Sequence, residues 1–179
     1  DNLQDQIMSI RKITLEKALS KLPRIFRQVT KEVNKKVKLL TDGFDLGVDR
    51  TIANALSTCM THMLRNALDH GIESADKRAE SGKPAEGTIS ISAKEQKNII
   101  YLTITDDGKG IDPEQVLSKA IEKGLIEESR RSTLTNSEIY DLLFLPGFST
   151  AEKVTGISGR GVGMDVVKKN VERLNGVVE

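Results

Sequence analysis

The 179-residue chain has no tryptophan, only four phenylalanines and two tyrosines, so its core has to be built from Ile, Leu, Val and Met. A single cysteine, Cys59, excludes an internal disulfide and suits a reducing cytoplasm. No apolar run approaches the ~20 residues needed to cross a bilayer. An excess of charge is missing too: 27 basic and 26 acidic residues leave a net +1, well mixed along the chain. That argues against a nucleic-acid footprint and against a polybasic membrane anchor. The length suits one domain with a proper core and is too short for two large ones. Asp1 falls inside a helical pattern and Val177-Val178 reads as a strand just beginning, so a piece of a larger protein is expected.

What is present has clear periodicity. Leu3, Ile7, Ile10 and Ile13 predict an amphipathic helix from residue 1 to about 19. Pro23 suits a second helix start, followed by the stripe Ile25, Phe26, Val29 and Val33. Lys36 to Leu40 alternates like a strand, closed by Asp42-Gly43. The longest helical pattern runs from about Asp49 to His70, with Ile52, Leu56, Cys59, Met60, Met63 and Ala67 on one arc. Ser81 to Pro84 is a turn. Thr88 to Ala93 and Ile99 to Thr105 then read as an antiparallel hairpin with one polar face, joined through Lys94 to Asn98. Asp112-Pro113 opens a helix that Gly124 ends, and Thr135 to Glu138 forms a capping box for a short helix to about Phe144. Residues 145 to 163 are glycine-rich and aperiodic, a loop of the length that is usually functional or mobile. Met164 to Leu174 is a final helix stopped by Asn175-Gly176. Helices and antiparallel strands are segregated, which predicts an α+β sandwich.

Four segments carry chemistry. On the long helix, His62, Asn66, Asp69 and His70 share one polar face at about 100° per residue. The carboxamide oxygen of Asn66 suits a magnesium ion already surrounded by phosphate oxygens; a solvated helix face gives the same pattern. Asp106-Asp107-Gly108-Lys109-Gly110 sits where a strand runs out, so a carboxylate there can accept from an adenine amino group while glycines admit the ring. A plain Asp-Gly turn is the competing reading. Gly159, Gly161 and Gly163 precede a helix at Met164, a cradle for phosphate or equally a hinge. Phe148, in Pro146-Gly147-Phe148-Ser149-Thr150, reads either as a lid anchor or as a core residue; as an anchor it would place Ser149, Thr150 and Lys153 near phosphates on closure.

In order, these segments resemble the N, G1, F and G2 boxes of the GHKL superfamily of ATP-binding proteins, and within it the catalytic domain of chemotaxis histidine kinases. The stretches that carry the resemblance are His62-x-x-Arg65-Asn66-Ala67-x-Asp69-His70-Gly71, Asp106-Asp107-Gly108-x-Gly110-Ile111, Pro146 to Thr150, and Ser158-Gly159-Arg160-Gly161-Val162-Gly163-Met164-Asp165-Val166-Val167. The resemblance covers about residues 20 to 179 and implies a two-layer sandwich with a mixed sheet covered by helices on one face. Residues 1–19 would be the tail of a dimerisation helix. It implies Asn66 as the magnesium ligand, Asp106 on the adenine amino group and Gly110 against the base. Asp69, Gly108, Ile111, Ser149, Thr150, Gly159, Arg160, Gly161, Val162, Gly163 and Met164 would complete the nucleotide contacts.

His62 stands four residues before Asn66, where ATP-hydrolysing members of the superfamily place a Glu that activates water. A kinase is therefore implied, passing the ATP γ-phosphoryl group to a histidine on a separate acceptor domain of a dimer. His62, Arg65, His70 and Lys153 are the candidates for charge neutralisation during transfer. Partners implied by resemblance are a coupling protein, chemoreceptors and response regulators, at receptor arrays in the cytoplasm. The superfamily's last box, a Gly-Thr turn, is not in this sequence. A GHKL-type ATPase and a non-catalytic nucleotide-binding scaffold are the alternatives.

Overall fold

A computed structural model of the chain describes residues 12–148 and 163–179. They fall into two compact units, Asp1–Gly110 and Ile111–Glu179.

The first unit is built around the apolar arc of its long helix. β1 (Lys12–Thr14) pairs antiparallel with β3 (Gly47–Asp49), Ile13 opposite Val48. Residues 12–14 are thus a strand rather than part of the expected first helix. Their β-branched Ile13 and Thr14 find a partner strand more than thirty residues away, and α1 (Leu15–Ala18) begins only after Thr14 caps it. Leu15 and Leu19 from this stretch are fully buried in the unit's core. The part of that helix expected over residues 1–11 lies outside the described residues.

α2 (Leu22–Glu32) carries Pro23 in its first turn, where a missing N–H costs nothing. α3 (Arg50–Asn66) starts where the Asp49 carboxylate accepts from the Thr51 amide at 2.8 Å. Its buried positions Ala53, Met60 and Leu64 share one core with Val29 of α2.

β2 (Val37–Asp42), β4 (Gly87–Gln96) and β5 (Ile99–Asp106) form a mixed sheet in the order β2-β4-β5. β2 and β4 are parallel, so a long crossover carrying α3 has to separate them. β4 and β5 form the expected antiparallel hairpin, with Ile91 opposite Ile104 and Ile89 opposite Asp106. Both strands run further than the polar residues suggested. The turn is reduced to Lys97 and Asn98, each with positive φ, the geometry that matches strand twist in a two-residue hairpin. Ile89, Ile91 and Ala93 point into the core, while Ser92, Lys94, Thr103 and Thr105 line an exposed face. This is the α+β arrangement expected, with a mixed sheet whose one face is apolar. β3, the short α4 (Ala75–Glu80) and a single helical turn at Glu128–Arg130 were not anticipated.

In the second unit, α5 (Pro113–Glu122) opens with Asp112 accepting from the Glu114 amide at 3.0 Å. α6 (Asn136–Asp141) has the expected capping box: the Thr135 amide donates to the Glu138 carboxylate at 2.8 Å and the Glu138 amide to the Thr135 hydroxyl at 3.4 Å. Val116, Leu117, Ala120, Ile139, Leu142 and Phe148 form this unit's core. α7 (Met164–Glu172) follows Gly163, and Asn175 with φ of 57° stops the chain from continuing as helix. The expected strand at Val177-Val178 is absent; the last residues have no regular structure and Val177 is exposed.

Candidate functional site

The C-terminal end of α3 is where two of the four motif segments meet. After Asn66 the chain widens into a π-helical turn, Ala67–Gly71, closed by the Ile72 amide donating to the Ala67 carbonyl at 2.8 Å. The expected single polar face therefore holds only as far as Asn66. The extra residue in the turn changes the angles of Asp69 and His70 relative to His62 and Asn66. His62, Asn66 and Asp69 are half-buried, and His70 is exposed. Arg65 reaches across to Glu32 of α2 at 3.6 Å, so its guanidinium serves helix packing in this structure. The carbonyls of Leu68 and Asp69 accept from the Lys35 ammonium at 2.6 and 2.9 Å. Burial lowers the Lys35 pKa, with Lys109 acting in the same sense and Asp69 and Glu73 opposing.

Asp106, the last residue of β5, stands over the final residue of that turn. A Cβ placed on Gly71 would lie 3.2 Å from either carboxylate oxygen of Asp106. One on Gly108 would overlap the Gly71 carbonyl oxygen, so only glycine lets the two backbones approach this closely. The Lys109 amide donates to the same Gly71 carbonyl at 3.0 Å. The Gly108 amide donates to Asp106 Oδ1 at 2.9 Å, and Asp106 is otherwise exposed. Gly110 lies in the left-handed region at φ of 73° with open space beside it.

The neighbouring Asp107 has a different task. Its Oδ1 accepts from the Thr88 amide at 2.8 Å and its Oδ2 from Arg78 Nη2 at 2.9 Å. Arg78 is only 1% exposed, and the rest of its fork goes to Glu73 at 3.1 Å, the Asp107 carbonyl at 3.1 Å and the Pro84 carbonyl at 2.7 Å. Lys83 completes the cluster with Glu73 at 2.8 Å and the Gly108 carbonyl at 2.8 Å. The Lys83 hydrogen bond is the main reason the Glu73 carboxyl is held below its usual range. For Asp107 burial pushes upward, but the Thr88 amide and Arg78 outweigh it and the carboxyl is also held low. Sequence reasoning missed Arg78, Glu73, Lys83 and Lys35. For Glu73, Arg78 and Lys83 the one signal is a dense run of charge around α4, which reads as solvated surface, and Lys35 sits in a basic Lys35-Lys36 pair that reads the same way.

Of the predicted residues, His62, Arg65, Asn66, Asp69, His70, Asp106, Gly108 and Gly110 lie in the first unit. Ile111, Gly163 and Met164 lie in the second, Met164 opening α7. Phe148 is a core residue there, 5% exposed, with the Lys123 ammonium donating to the carbonyls of Gly147 and Phe148 at 3.0 and 2.9 Å. Ser149, Thr150, Lys153, Gly159, Arg160, Gly161 and Val162 lie outside the described residues. Among the described residues no cluster of three or more His, Cys, Asp or Glu could hold a metal ion, and no helix is long and apolar enough to cross a membrane.

A mixed sheet with helices over one face, and an acidic strand end seated on an Asn-bearing helix, define an α+β domain of the superfamily whose motif boxes the four segments resemble. The family described as histidine kinase-, DNA gyrase B- and HSP90-like ATPase matches residues 51–179, and the chain belongs to it. The chain is 41% identical to the chemotaxis protein CheA of Bacillus subtilis, over 99% of its own length and 26% of that protein. It is 42% identical to the sensor histidine kinase CheAY of Helicobacter pylori (99% and 22%) and 40% identical to a gliding motility regulatory protein of Myxococcus xanthus (98% and 23%). The chain thus spans about a quarter of the length of these curated relatives.

Proposed function

We propose that this chain is the ATP-binding catalytic domain of a CheA-like histidine kinase. The observation that supports it best is the seat of Asp106: an exposed carboxylate with one oxygen engaged by Gly108, lying against Gly71 beside the end of the Asn66 helix. Asp106 has an oxygen available to accept from an adenine amino group, and Gly110 has open space beside it for the flat base. The residues fit magnesium brought in by the nucleotide. One neutral oxygen from Asn66 adds to phosphate ligands, as a hard octahedral ion that keeps several non-protein ligands requires. Bound there, magnesium would supply charge neutralisation to the polyphosphate during transfer.

In the proposed reaction a nitrogen of the acceptor imidazole bonds to the γ-phosphorus as the bond to the β,γ-bridging oxygen breaks, and ADP leaves. The chain's task is to hold the nucleotide in line and offset its charge, with His62, His70 and Lys153 as candidates. Arg65 is the weakest of the original four, given its ion pair with Glu32. Gly159 to Met164, Arg160 and Val162 included, are proposed to cradle the phosphates, and Asp69, Ile111, Ser149 and Thr150 are proposed as further nucleotide contacts. Position 62 holds no carboxylate to activate water, which favours transfer over hydrolysis. Proposed partners are an acceptor histidine domain of a dimeric protein, a coupling protein, chemoreceptors and response regulators in the cytoplasm.

The test is to incubate the protein with γ-labelled ATP and magnesium, with and without the acceptor histidine domain. Label appearing on that domain, slowed more than nucleotide binding by His62→Gln, is the expected result. Phosphate release without transfer would replace the kinase reading with an ATPase.

A further inference from the structure

We propose that Arg78, buried and outside the proposed nucleotide contacts, is the positioning residue that sets base selectivity, by holding Asp107 and Gly108 so that the Asp106 carboxylate faces the base. This rests on Asp106 being the base-contacting carboxylate, as proposed above.

Two adjacent aspartates at a strand end face a choice of which one stays available for a ligand. Here the hydrogen-bonding capacity of Asp107 is spent on the scaffold. Its amide donates to the Thr88 carbonyl at 3.1 Å, its Oδ1 accepts from the Thr88 amide at 2.8 Å, and its Oδ2 and carbonyl meet two nitrogens of Arg78. Lys83 adds contacts to the carbonyls of Asp107 at 3.1 Å and Gly108 at 2.8 Å. The peptide between Asp107 and Gly108 is thereby gripped on both sides, and because it is planar its N–H direction is set as well. That N–H is the group that holds Asp106 Oδ1 at 2.9 Å. The path from Arg78 to Asp106 is therefore one rigid peptide with a hydrogen bond at each end.

The arrangement has the attributes of a positioning device. Arg78 is anchored by Nε on the Pro84 carbonyl and by Glu73, which shares Nη1 with the Asp107 carbonyl, so its fork has a fixed origin. A planar guanidinium grips a carboxylate oxygen and a carbonyl of the same residue through two nitrogens at fixed spacing, an orientation that the rotatable donors of an ammonium do not impose. Its surroundings are dry at 1% exposure, whereas the side chain it holds, Asp107, is 44% exposed. A solvent-facing aspartate would otherwise choose among rotamers. With that grip lost, Gly108 and then Asp106 gain freedom, and an adenine amino group meets a less defined acceptor. None of the residues proposed to meet phosphate or magnesium takes part in this path.

The inference is tested by measuring equilibrium Kd values of the full chain for ATP and GTP, with and without magnesium, in Arg78→Lys, Asp107→Asn and Asp106→Asn, each first checked for native unfolding cooperativity. Arg78→Lys keeps charge and loses the fork. Asp107→Asn presents a donor to Arg78 Nη2 while keeping an acceptor for Thr88. Both are expected to weaken ATP binding about tenfold, the scale of one lost charge-assisted hydrogen bond, and to shrink the ATP over GTP preference by the same factor. The fold tightening caused by magnesium should stay at its wild-type value. Folded Arg78→Lys and Asp107→Asn proteins with wild-type selectivity, beside an Asp106→Asn protein that has lost it, would overturn the positioning role and leave the pocket assignment standing. Wild-type binding by Asp106→Asn would instead overturn the pocket assignment itself. If Arg78→Lys does not fold, Asp107→Asn decides alone, since its side chain is half-exposed and its substitution nearly isosteric.

Discussion

The Lys35 ammonium lies 2.6 Å from the Leu68 carbonyl and 2.9 Å from that of Asp69, closing the end of a helix that belongs to a different part of the chain. Carbonyls at a helix end lack partners within the helix and carry the negative end of its dipole, so a cation is favoured there. Lys35→Met should cost about 1–2 kcal/mol of unfolding free energy, the scale for stranding a partly buried acceptor. It should lower the thermal midpoint by several degrees. Calorimetry of the variant checks it, and an unchanged midpoint would mean that water serves these carbonyls equally well.

The two glycines after Asp107 should respond differently to alanine. At Gly110 the added methyl meets open space and pays only for positive φ, about 1 kcal/mol. At Gly108 it would collide with the Gly71 backbone, which cannot rotate aside as a side chain could, and overpacking of that kind costs about 3 kcal/mol. Gly108→Ala should also displace the amide that holds Asp106 and so weaken ATP binding. Urea titration of both variants separates the cases; equal, mild effects would mean that the two backbones are not in contact in solution.

Acid should unfold the first unit through Glu73 and Asp107. Both carboxyls are held below their ordinary values, Glu73 chiefly by Lys83, and Asp107 by Thr88 and Arg78 against the opposing effect of burial. The unfolded chain therefore binds protons at a higher pH than the folded one, and stability must rise with pH across that interval. Their contribution is complete above about pH 5 and is lost as pH falls through roughly 4 toward the lower native values. Urea midpoints measured from pH 6 to 3 should drop steeply for the wild type and less steeply for Glu73→Gln. Parallel curves would remove this cluster from the acid response.

Local signals were the legible ones. The Asp112 cap, the Thr135 and Glu138 capping box and the alternation of Ile89, Ile91 and Ala93 each act within a few residues, and each gave its element. β1 was hidden because Ile7, Ile10 and Ile13 repeat at helical spacing, while its true partner, Gly47–Asp49, is distant in sequence. Arg78 was hidden for a related reason. Asp76, Lys77, Arg78 and Glu80 look like a solvated helix face, and only the fold brings Glu73, Pro84 and Asp107 around one of them. The split between Asp106 and Asp107 follows the same logic: identical neighbours at a strand end point opposite ways, and tertiary contacts decide which is scaffold.

Asp106 and Asn66 should separate into base recognition and metal dependence. Asp106 has one oxygen held by Gly108, leaving its second for an amino-group donor. Replacing the carboxylate by an amide either turns an NH2 toward that donor or forfeits the charge, so Asp106→Asn should weaken ATP binding by about 10–100-fold with or without magnesium. Asn66 offers a single neutral oxygen, so its loss should leave metal-free nucleotide binding near the wild-type level. What Asn66→Ala should remove is the tightening that added magnesium brings. Titrating each variant with ATP in EDTA and again in excess magnesium gives the four constants required. Two variants with the same small loss under both conditions would show that these residues do not serve one nucleotide.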